Sequence, residues 1–264
     1  MRCLKTLNVS FYQFTPLEAP ELWKPILEQE LRAKGLKGTV LLAQEGMNGF
    51  LSGLEQDVQA ALSWLRSQPA FENLWAKESF SEGVPFRRLK VKVKKEIVTF
   101  RVPNLSLETH AAPRISPAEL KTWLDQSKDF LLIDTRNEYE VRIGTFEKAL
   151  SLNVNRFVDF AQKIQDRLPE WKDKEIVTFC TGGIRCEKAA PYMKSLGFEK
   201  VYQLDGGILN YFEKEKDAHW KGECFVFDDR VGVKKNLAPS GSTLCVHCQW
   251  PNPQNTPACL HCGK

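Results

Sequence analysis

The stretch Ile176-Val177-Thr178-Phe179-Cys180-Thr181-Gly182-Gly183-Ile184-Arg185 decides how the rest of the chain is read. Its first four residues predict a strand buried on both faces. The pattern from about Cys186 to Leu196 predicts a helix, with Gly197 as its stop. A cysteine between the two lies at the carboxyl end of a strand, where open α/β sheets bind ligands. Its sulfur also lies near a helix N-terminus, whose amides and dipole favour an anion. Arg185 adds a permanent positive charge, and both effects lower a thiol pKa and favour a thiolate or persulfide. Gly182 and Gly183 let the backbone curl, so that the amides of Thr181 to Ile184 face one point. A structural cysteine closing a strand is the bland alternative. It supplies no packing reason for paired glycines and an arginine.

Outward from this loop the alternation continues. Phe130-Leu131-Leu132-Ile133 is an apolar run ending at Asp134, and Val201 to Leu204 is a third strand. Phe157, Phe160, Ala161, Ile164 and Leu168 trace a helix. Ser116-Pro117-Ala118-Glu119 is a capping box with proline at the first helical position. Strands alternating with helices imply a doubly wound parallel sheet, an α/β arrangement. Glu138 and Glu140 could serve as acids or bases, but they read first as exposed carboxylates at a helix start.

The first hundred residues follow another order: strand, helix, hairpin, helix, strand. Leu7 to Phe14 is strand-like, and Glu21 to Lys34 is helical, with Trp23, Leu27 and Leu31 on one face. Thr39 to Ala43 is a strand, and Asn48-Gly49 signals a hairpin turn leading into Phe50-Leu51. Val58, Ala61, Leu62 and Leu65 form a helical stripe that Pro69 closes, and Leu89 to Phe100 is strand-rich. A ferredoxin-like α+β sandwich fits this order. Pro103 to Pro113 reads as a linker. The expected division is 1–105, 106–218 and a cysteine-rich 219–264.

Bulk properties narrow the function classes. The 264 residues suit two or three domains, and 42% hydrophobic with 27% charged residues is ordinary for a globular protein. Apolar runs are only a few residues long, so no membrane span is expected. Asn8, Ser10 and Gln13 interrupt any N-terminal signal region, which predicts a cytoplasmic protein. A net charge of +4 permits a nucleic-acid partner without arguing for one. No G-x-G-x-x-G fingerprint occurs, and His110, His219, His247 and His261 are too scattered for an iron site, so no organic cofactor is expected.

Eight cysteines without a secretion signal point to thiol chemistry or metal binding rather than disulfides. Cys3 and Cys224 stand alone, the latter amid apolar residues that favour a core position. Cys245-Val246-His247-Cys248 and Cys259-Leu260-His261-Cys262 are two Cys-x-x-Cys knuckles ten residues apart. Two such knuckles complete a tetrahedral zinc site with no open position, hence a structural one. Redox thiols and an iron–sulfur cluster are the alternatives. His247 and His261 are expected to be exposed.

Arg88, Lys90, Lys92 and Lys94 alternate with Leu89, Val91 and Val93. On a strand this makes one side apolar and the other cationic over roughly 20 Å. Such a stripe suits the phosphates of a folded RNA, and it equally suits a lysine-protected sheet edge.

Several of these segments carry a family resemblance. The Cys180 loop, Leu204-Asp205-Gly206-Gly207-Ile208, and Asp134-Thr135-Arg136 followed by Glu138 and Tyr139 resemble rhodanese domains. Where those domains usually read Gly-His-Ile, this chain reads Gly144-Thr145-Phe146. Four residues separate Cys180 from Arg185, a ring suited to sulfur, whereas related phosphatases place five. Phosphatase activity is therefore disfavoured. Ala43-Gln44-Glu45-Gly46-Met47-Asn48-Gly49, the run from Cys180 to Lys188, and Gly222-Glu223-Cys224-Phe225-Val226-Phe227-Asp228-Asp229-Arg230 resemble the rhodanese-containing tRNA uridine(34) hydroxylases, over nearly the whole chain.

That resemblance implies an acylphosphatase-like front, a rhodanese middle and a cysteine-rich tail. It implies oxygen-dependent formation of 5-hydroxyuridine at the tRNA wobble position, with molecular oxygen as co-substrate and the anticodon region as partner. It also implies that Cys180 is the active cysteine, passing through a persulfide, and it turns the basic stripe toward RNA. Residue chemistry alone stops at an activated thiolate able to carry sulfur. A plain sulfurtransferase passing sulfane sulfur through Cys180 to a thiol needs the same loop. A non-catalytic binding module is a third reading, which an intact Cys-to-Arg loop opposes. Cys186 either resolves an oxidised Cys180 as a disulfide or simply opens the helix as a small residue.

Overall fold

Leu7, Val9 and Phe11 alternate with polar residues, so the first strand has one dry face, and the front of the chain is built on it. In the computed structural model, which describes residues 5–216 and 218–264, Cys3 lies outside the described residues. The chain forms two units, Met1–Thr99 and Phe100–Lys264.

The first unit runs β1 (Thr6–Phe14), α1 (Pro20–Ala33), β2 (Lys37–Ala43), β3 (Gly46–Leu54), α2 (Glu55–Arg66), β4 (Trp75–Ser81) and β5 (Leu89–Val93). The sheet order is β4-β1-β3-β2-β5, with β5 parallel to β2 and the other neighbours antiparallel. Leu27 and Leu31 of α1 and Val58, Ala61, Leu62 and Leu65 of α2 bury one side of it. This is the ferredoxin-like α+β order with one added edge strand.

Three details differ from the sequence reading. Asn48-Gly49 lies inside β3, opposite Tyr12 and Phe11, and is not a turn. Gly49 makes room for an aromatic ring: a Cβ there would stand 2.4 Å from the Phe11 ring. The turn is Gln44–Glu45, and Gly46 follows it at φ +133, where a Cβ would meet the Gln13 carbonyl. Packing therefore overrides the dipeptide signal. The expected strand from Leu89 to Phe100 stops at Val93. Beyond it, the Ile97 amide donates to Glu45 and the Ile97 carbonyl accepts from Asn48, so both groups are satisfied without a strand partner. The strand that completes the sheet beside β1 is β4, which the sequence reading passed over.

The second unit has a five-stranded, all-parallel sheet in the order β6-β11-β10-β7-β9. Its elements are β6 (Arg114–Ile115), α3 (Pro117–Asp125), β7 (Leu131–Asp134), α4 (Glu138–Val141), β8 (Gly144–Phe146), β9 (Ala149–Ser151), α5 (Phe160–Gln165), α6 (Leu168–Trp171), β10 (Ile176–Phe179), α7 (Cys186–Ser195), β11 (Val201–Leu204) and α8 (Gly207–Glu215). Ser116 caps α3 by accepting from the Glu119 amide at 3.2 Å. The helix expected from Phe157 to Leu168 is broken into a 3-10 turn, α5 and α6. Pro169 has no amide to continue α5 and disfavours helical geometry before it.

The chain then returns to the same core. β12 (Trp220–Gly222) pairs with β8, and Trp220 meets Phe146 edge-on at 5.1 Å. β13 (Cys224–Phe225) and β14 (Gly232–Val233) form a hairpin, and Cys224 is fully buried in the core beside Val226 and Val233. β15 (Thr243–Leu244) and β16 (Pro251–Asn252) pair in the last segment, and the final four cysteines follow one strand or the other rather than lying on them. Among the described residues, no helix is long and apolar enough to cross a membrane.

Candidate active site and thiol cluster

Every side chain of β10 is buried, so the strand delivers Cys180 to the inside of the loop that follows, where it is 1% exposed. The Gly183 amide donates to Cys180 Sγ at 3.1 Å. Gly183 adopts φ +96, which a side chain would resist, and this conformation turns its amide inward. Gly182 has open space around it, Thr181 is buried and Ile184 is half-buried. α7 starts directly after Arg185.

The Gly206-Gly207 pair supports the loop from behind. The amides of Ile208 and Leu209 donate to the carbonyls of Cys180 and Thr181 at 3.0 and 3.1 Å. The N-terminus of α8 thus holds loop backbone. A Cβ on Gly207 would stand 2.4 Å from the Cys180 carbonyl oxygen, so only glycine fits.

Arg185 is itself buried, and its two terminal nitrogens donate to both oxygens of Glu140 at 2.6 and 2.7 Å. Glu140 is 0% exposed, contrary to the expectation of a solvated helix-start carboxylate. It also accepts from the Asn137 amide, the reciprocal half of a capping box on α4. α4 is a single turn facing the loop, and this brings its capping carboxylate inside. Glu138 stays partly exposed and accepts from Arg142. Removing the Glu140 charge leaves a buried guanidinium unpaired, a loss of about 3–5 kcal/mol.

Burial alone pushes the Cys180 thiol up. It is outweighed by the Cys186 thiol, the Arg185 charge and the amides of Arg185 and Gly183, which together bring it down to about 6. Burial and the neighbouring Cys180 sulfur push Cys186 well up, so it stays protonated and serves as a donor. Cys186 also lies 3.8 Å from the Thr135 hydroxyl, which donates to the Phe179 carbonyl. Beside it, Asp134 and Arg136 form an ion pair with both side chains 0% exposed, and Arg136 donates onward to the Gly144 carbonyl. Thr145, in the segment that departs from the rhodanese pattern, donates to Asp134 at 2.8 Å. The arrangement is a thiolate at neutral pH, able to attack an electrophile or carry a second sulfur.

The four tail cysteines come together. Their sulfurs all lie within 4.8 Å of one another, with Cys245···Cys262 at 3.8 Å and Cys248···Cys259 at 3.5 Å. Tetrahedral zinc with Zn–S near 2.3 Å requires S···S of about 3.8 Å, so the donor set fits such a metal. The amides of Cys262 and His261 pull Cys259 down to about 6. At Cys248 the lowering by the Trp250 amide is outweighed by burial and the neighbouring cysteines, which push the thiol up to about 12, so a metal binding both must displace the Cys248 proton. His247 and His261 are exposed, and His261 stacks on Trp250 at 3.7 Å. The cysteines in the described residues are all free thiols.

The basic stripe follows β5, which pairs only with β2 and so forms a sheet edge. Arg88, Lys92 and Lys94 are exposed and Lys90 is half-buried, while Leu89 and Val91 are buried. Arg88 and Lys94 flank the strand itself.

Each unit contains a segment similar to a known family. Residues 6–97 match the UPF0176 acylphosphatase-like domain, and residues 116–214 match the rhodanese-like domain. A protein of Cupriavidus metallidurans named tRNA uridine(34) hydroxylase is 42% identical over 98% of this chain and 97% of its own length. One of Ralstonia nicotianae with the same name is 44% identical over 93% of this chain and 89% of its own. Among solved structures, a rhodanese-like domain from Anabaena gives a TM-score of 0.35 at 22% identity, covering 42% of this chain and 79% of that one. A human single-domain sulfurtransferase gives 0.33 at 24%, covering 39% and 98%.

Proposed function

Because the chain belongs to the tRNA uridine(34) hydroxylase family, we propose that it hydroxylates C5 of wobble uridine 34 in tRNA, with Cys180 as the active cysteine. The observation that carries this reading is a single buried thiolate at the end of β10, in a chain that matches those relatives almost end to end. Molecular oxygen is the co-substrate: one atom enters C5 as hydroxyl, and the other leaves as water with two electrons and two protons from a reductant. Arg185 and the amides of the 181–184 loop hold the anionic sulfur, and Glu140 holds Arg185. Cys186 donates to Cys180 and can trap an oxidised Cys180 as a disulfide, releasing water from a sulfenic acid.

The front domain, 1–105, holds the anticodon region through Arg88, Lys90, Lys92 and Lys94, whose contacts are with phosphate and carry no sequence information. The rhodanese part, 106–218, supplies Cys180. The tail, 219–264, binds structural zinc through Cys245, Cys248, Cys259 and Cys262; its first part, through Val233, packs into the rhodanese core, and beyond it bound metal stands in for an apolar core.

Nucleoside mass spectrometry tests the proposal. tRNA from cells lacking this gene should lose 5-hydroxyuridine-derived nucleosides. Wild type should restore them and Cys180→Ser should not. Unchanged tRNA, with no second enzyme making the mark, would return the loop to sulfur transfer, to be assayed with thiosulfate and persulfide donors.

A further inference from the structure

The hairpin after β13 raises an aromatic ring beside the nucleophile loop. Phe225 and Phe227 stand two residues apart, yet Phe225 is 7% exposed and Phe227 is 46% exposed. Among the described residues of this unit, Phe227 is the one aromatic side chain among the exposed large apolar groups.

The hairpin that carries it is tightly braced. Val226 donates to the Val231 carbonyl and Val231 to the Asp228 carbonyl, at 2.9 and 3.0 Å. Asp228 accepts from the Arg230 amide and Nε at 3.0 and 2.9 Å, and from its terminal nitrogen at 2.6 Å. These charges satisfy each other within the turn, so they hold the backbone under Phe227.

Its position is fixed against the loop. The Arg185 guanidinium carbon lies 5.9 Å from the Phe227 ring centroid, and Thr181 Oγ1 reaches the Phe225 carbonyl at 3.5 Å. Cys180 is 1% exposed, so a base still stacked within an RNA loop has no route to its sulfur. Enzymes that act on a base take it out of the stack, and a flat aromatic face holds a base better than an aliphatic side chain because every base has a π-face. The Phe227 ring rests edge-on against Phe225 at 5.1 Å, and nearly half of the residue is left open to solvent above that contact.

We infer that Phe227 is the stacking surface that receives the extruded uracil of uridine 34 beside Cys180. The inference rests on the tRNA hydroxylase reading. Phe227 touches the substrate base and orients it, and the reaction at sulfur belongs to Cys180.

The test compares binding of two synthetic anticodon stem–loop RNAs, one with uridine at position 34 and one abasic there. The full-length protein and its Phe227→Leu, Phe227→Ala and Phe227→Trp variants are each titrated with both. Base–aromatic stacking predicts that wild type prefers the uridine RNA by about 5- to 150-fold. Phe227→Leu keeps apolar bulk on the hairpin, and it should lose most of that preference, as should Phe227→Ala. Phe227→Trp should keep it. Iodoacetamide labelling of Cys180 in Phe227→Leu should match wild type, a readout that a collapsed loop would move. If Phe227→Leu keeps the full preference, or loses it only along with Cys180 labelling, the stacking role is overturned and the hydroxylase reading stands. A wild type that hydroxylates uridine 34 but binds both RNAs equally overturns the stacking role alone. A wild type that shows neither preference nor hydroxylation overturns both.

Discussion

The second unit holds sulfur in two settings, the Cys180 loop and the four-cysteine tail, and they accommodate negative charge in different ways. In the loop one thiolate meets an inward amide, a protonated Cys186 and a guanidinium locked by Glu140. In the tail four sulfurs crowd within 4.8 Å of one another. One thiolate among fixed donors is stabilised before any ligand arrives and is available to react. Four sulfurs at that spacing cannot all ionise until a cation takes their charge, after which they are unavailable for chemistry. Donor geometry around cysteine, more than its pKa alone, separates a nucleophile from a metal ligand.

Substitutions at each setting break the comparison to different degrees. Cys180→Ser should lower hydroxylation of purified tRNA on the order of 10³-fold or more, read by nucleoside mass spectrometry, with the fold intact by circular dichroism. Glu140→Ala should lower stability by about 3–5 kcal/mol in urea denaturation, because Arg185 is left buried and unpaired. Cys259→Ser, or a strong chelator, should remove the tail metal in elemental analysis while Cys180 still labels with iodoacetamide. A fall in Cys180 labelling on loss of the metal would show that the two settings are not independent.

The smallest effect is on proton affinity. The thiolate is the reactive form and is lost as protons are added, so Cys180 labelling should fall below about pH 6 and level off above it. Cys186→Ala removes a donor that favours the thiolate and should move that midpoint upward. A midpoint that stays in place would leave Arg185 and the amides as the whole cause.

Much of this site is legible in sequence because its parts are local. A strand, a cysteine, two glycines and an arginine occupy consecutive positions, and the tail knuckles have fixed spacing. The burial of Glu140 lies outside any local pattern, because it depends on which way a one-turn helix faces, and that is set by its packing on β8 and β13. Its capping-box spacing from Asn137 was visible, but the same spacing usually marks an exposed helix end. Asn48-Gly49 misled because the Phe11 ring, far off in sequence, needs the space beside Gly49. β4 escaped because its dry face is weak: Glu78 and Phe80, which share the face of Val9 and Leu7, are exposed. The role of Phe227 is likewise invisible in one dimension. Only the hairpin shows that of two nearby phenylalanines one is buried and the other presented.

The pairing of β6 with β11 also constrains how the chain is made. Arg114 and Ile115 lie against Gln203 and Leu204, about 90 residues later in the chain. On a ribosome adding about 5–20 residues per second, β6 waits roughly 5–20 s for its partner. The nucleophile loop waits too, since its carbonyls are held by Ile208 and Leu209, which emerge after β11. Until then Cys180 lacks the support that positions it. The loop backbone is therefore fixed among the last parts of the rhodanese fold, after Glu140, Gly183, Arg185 and Cys186, the groups that favour the thiolate, have already emerged.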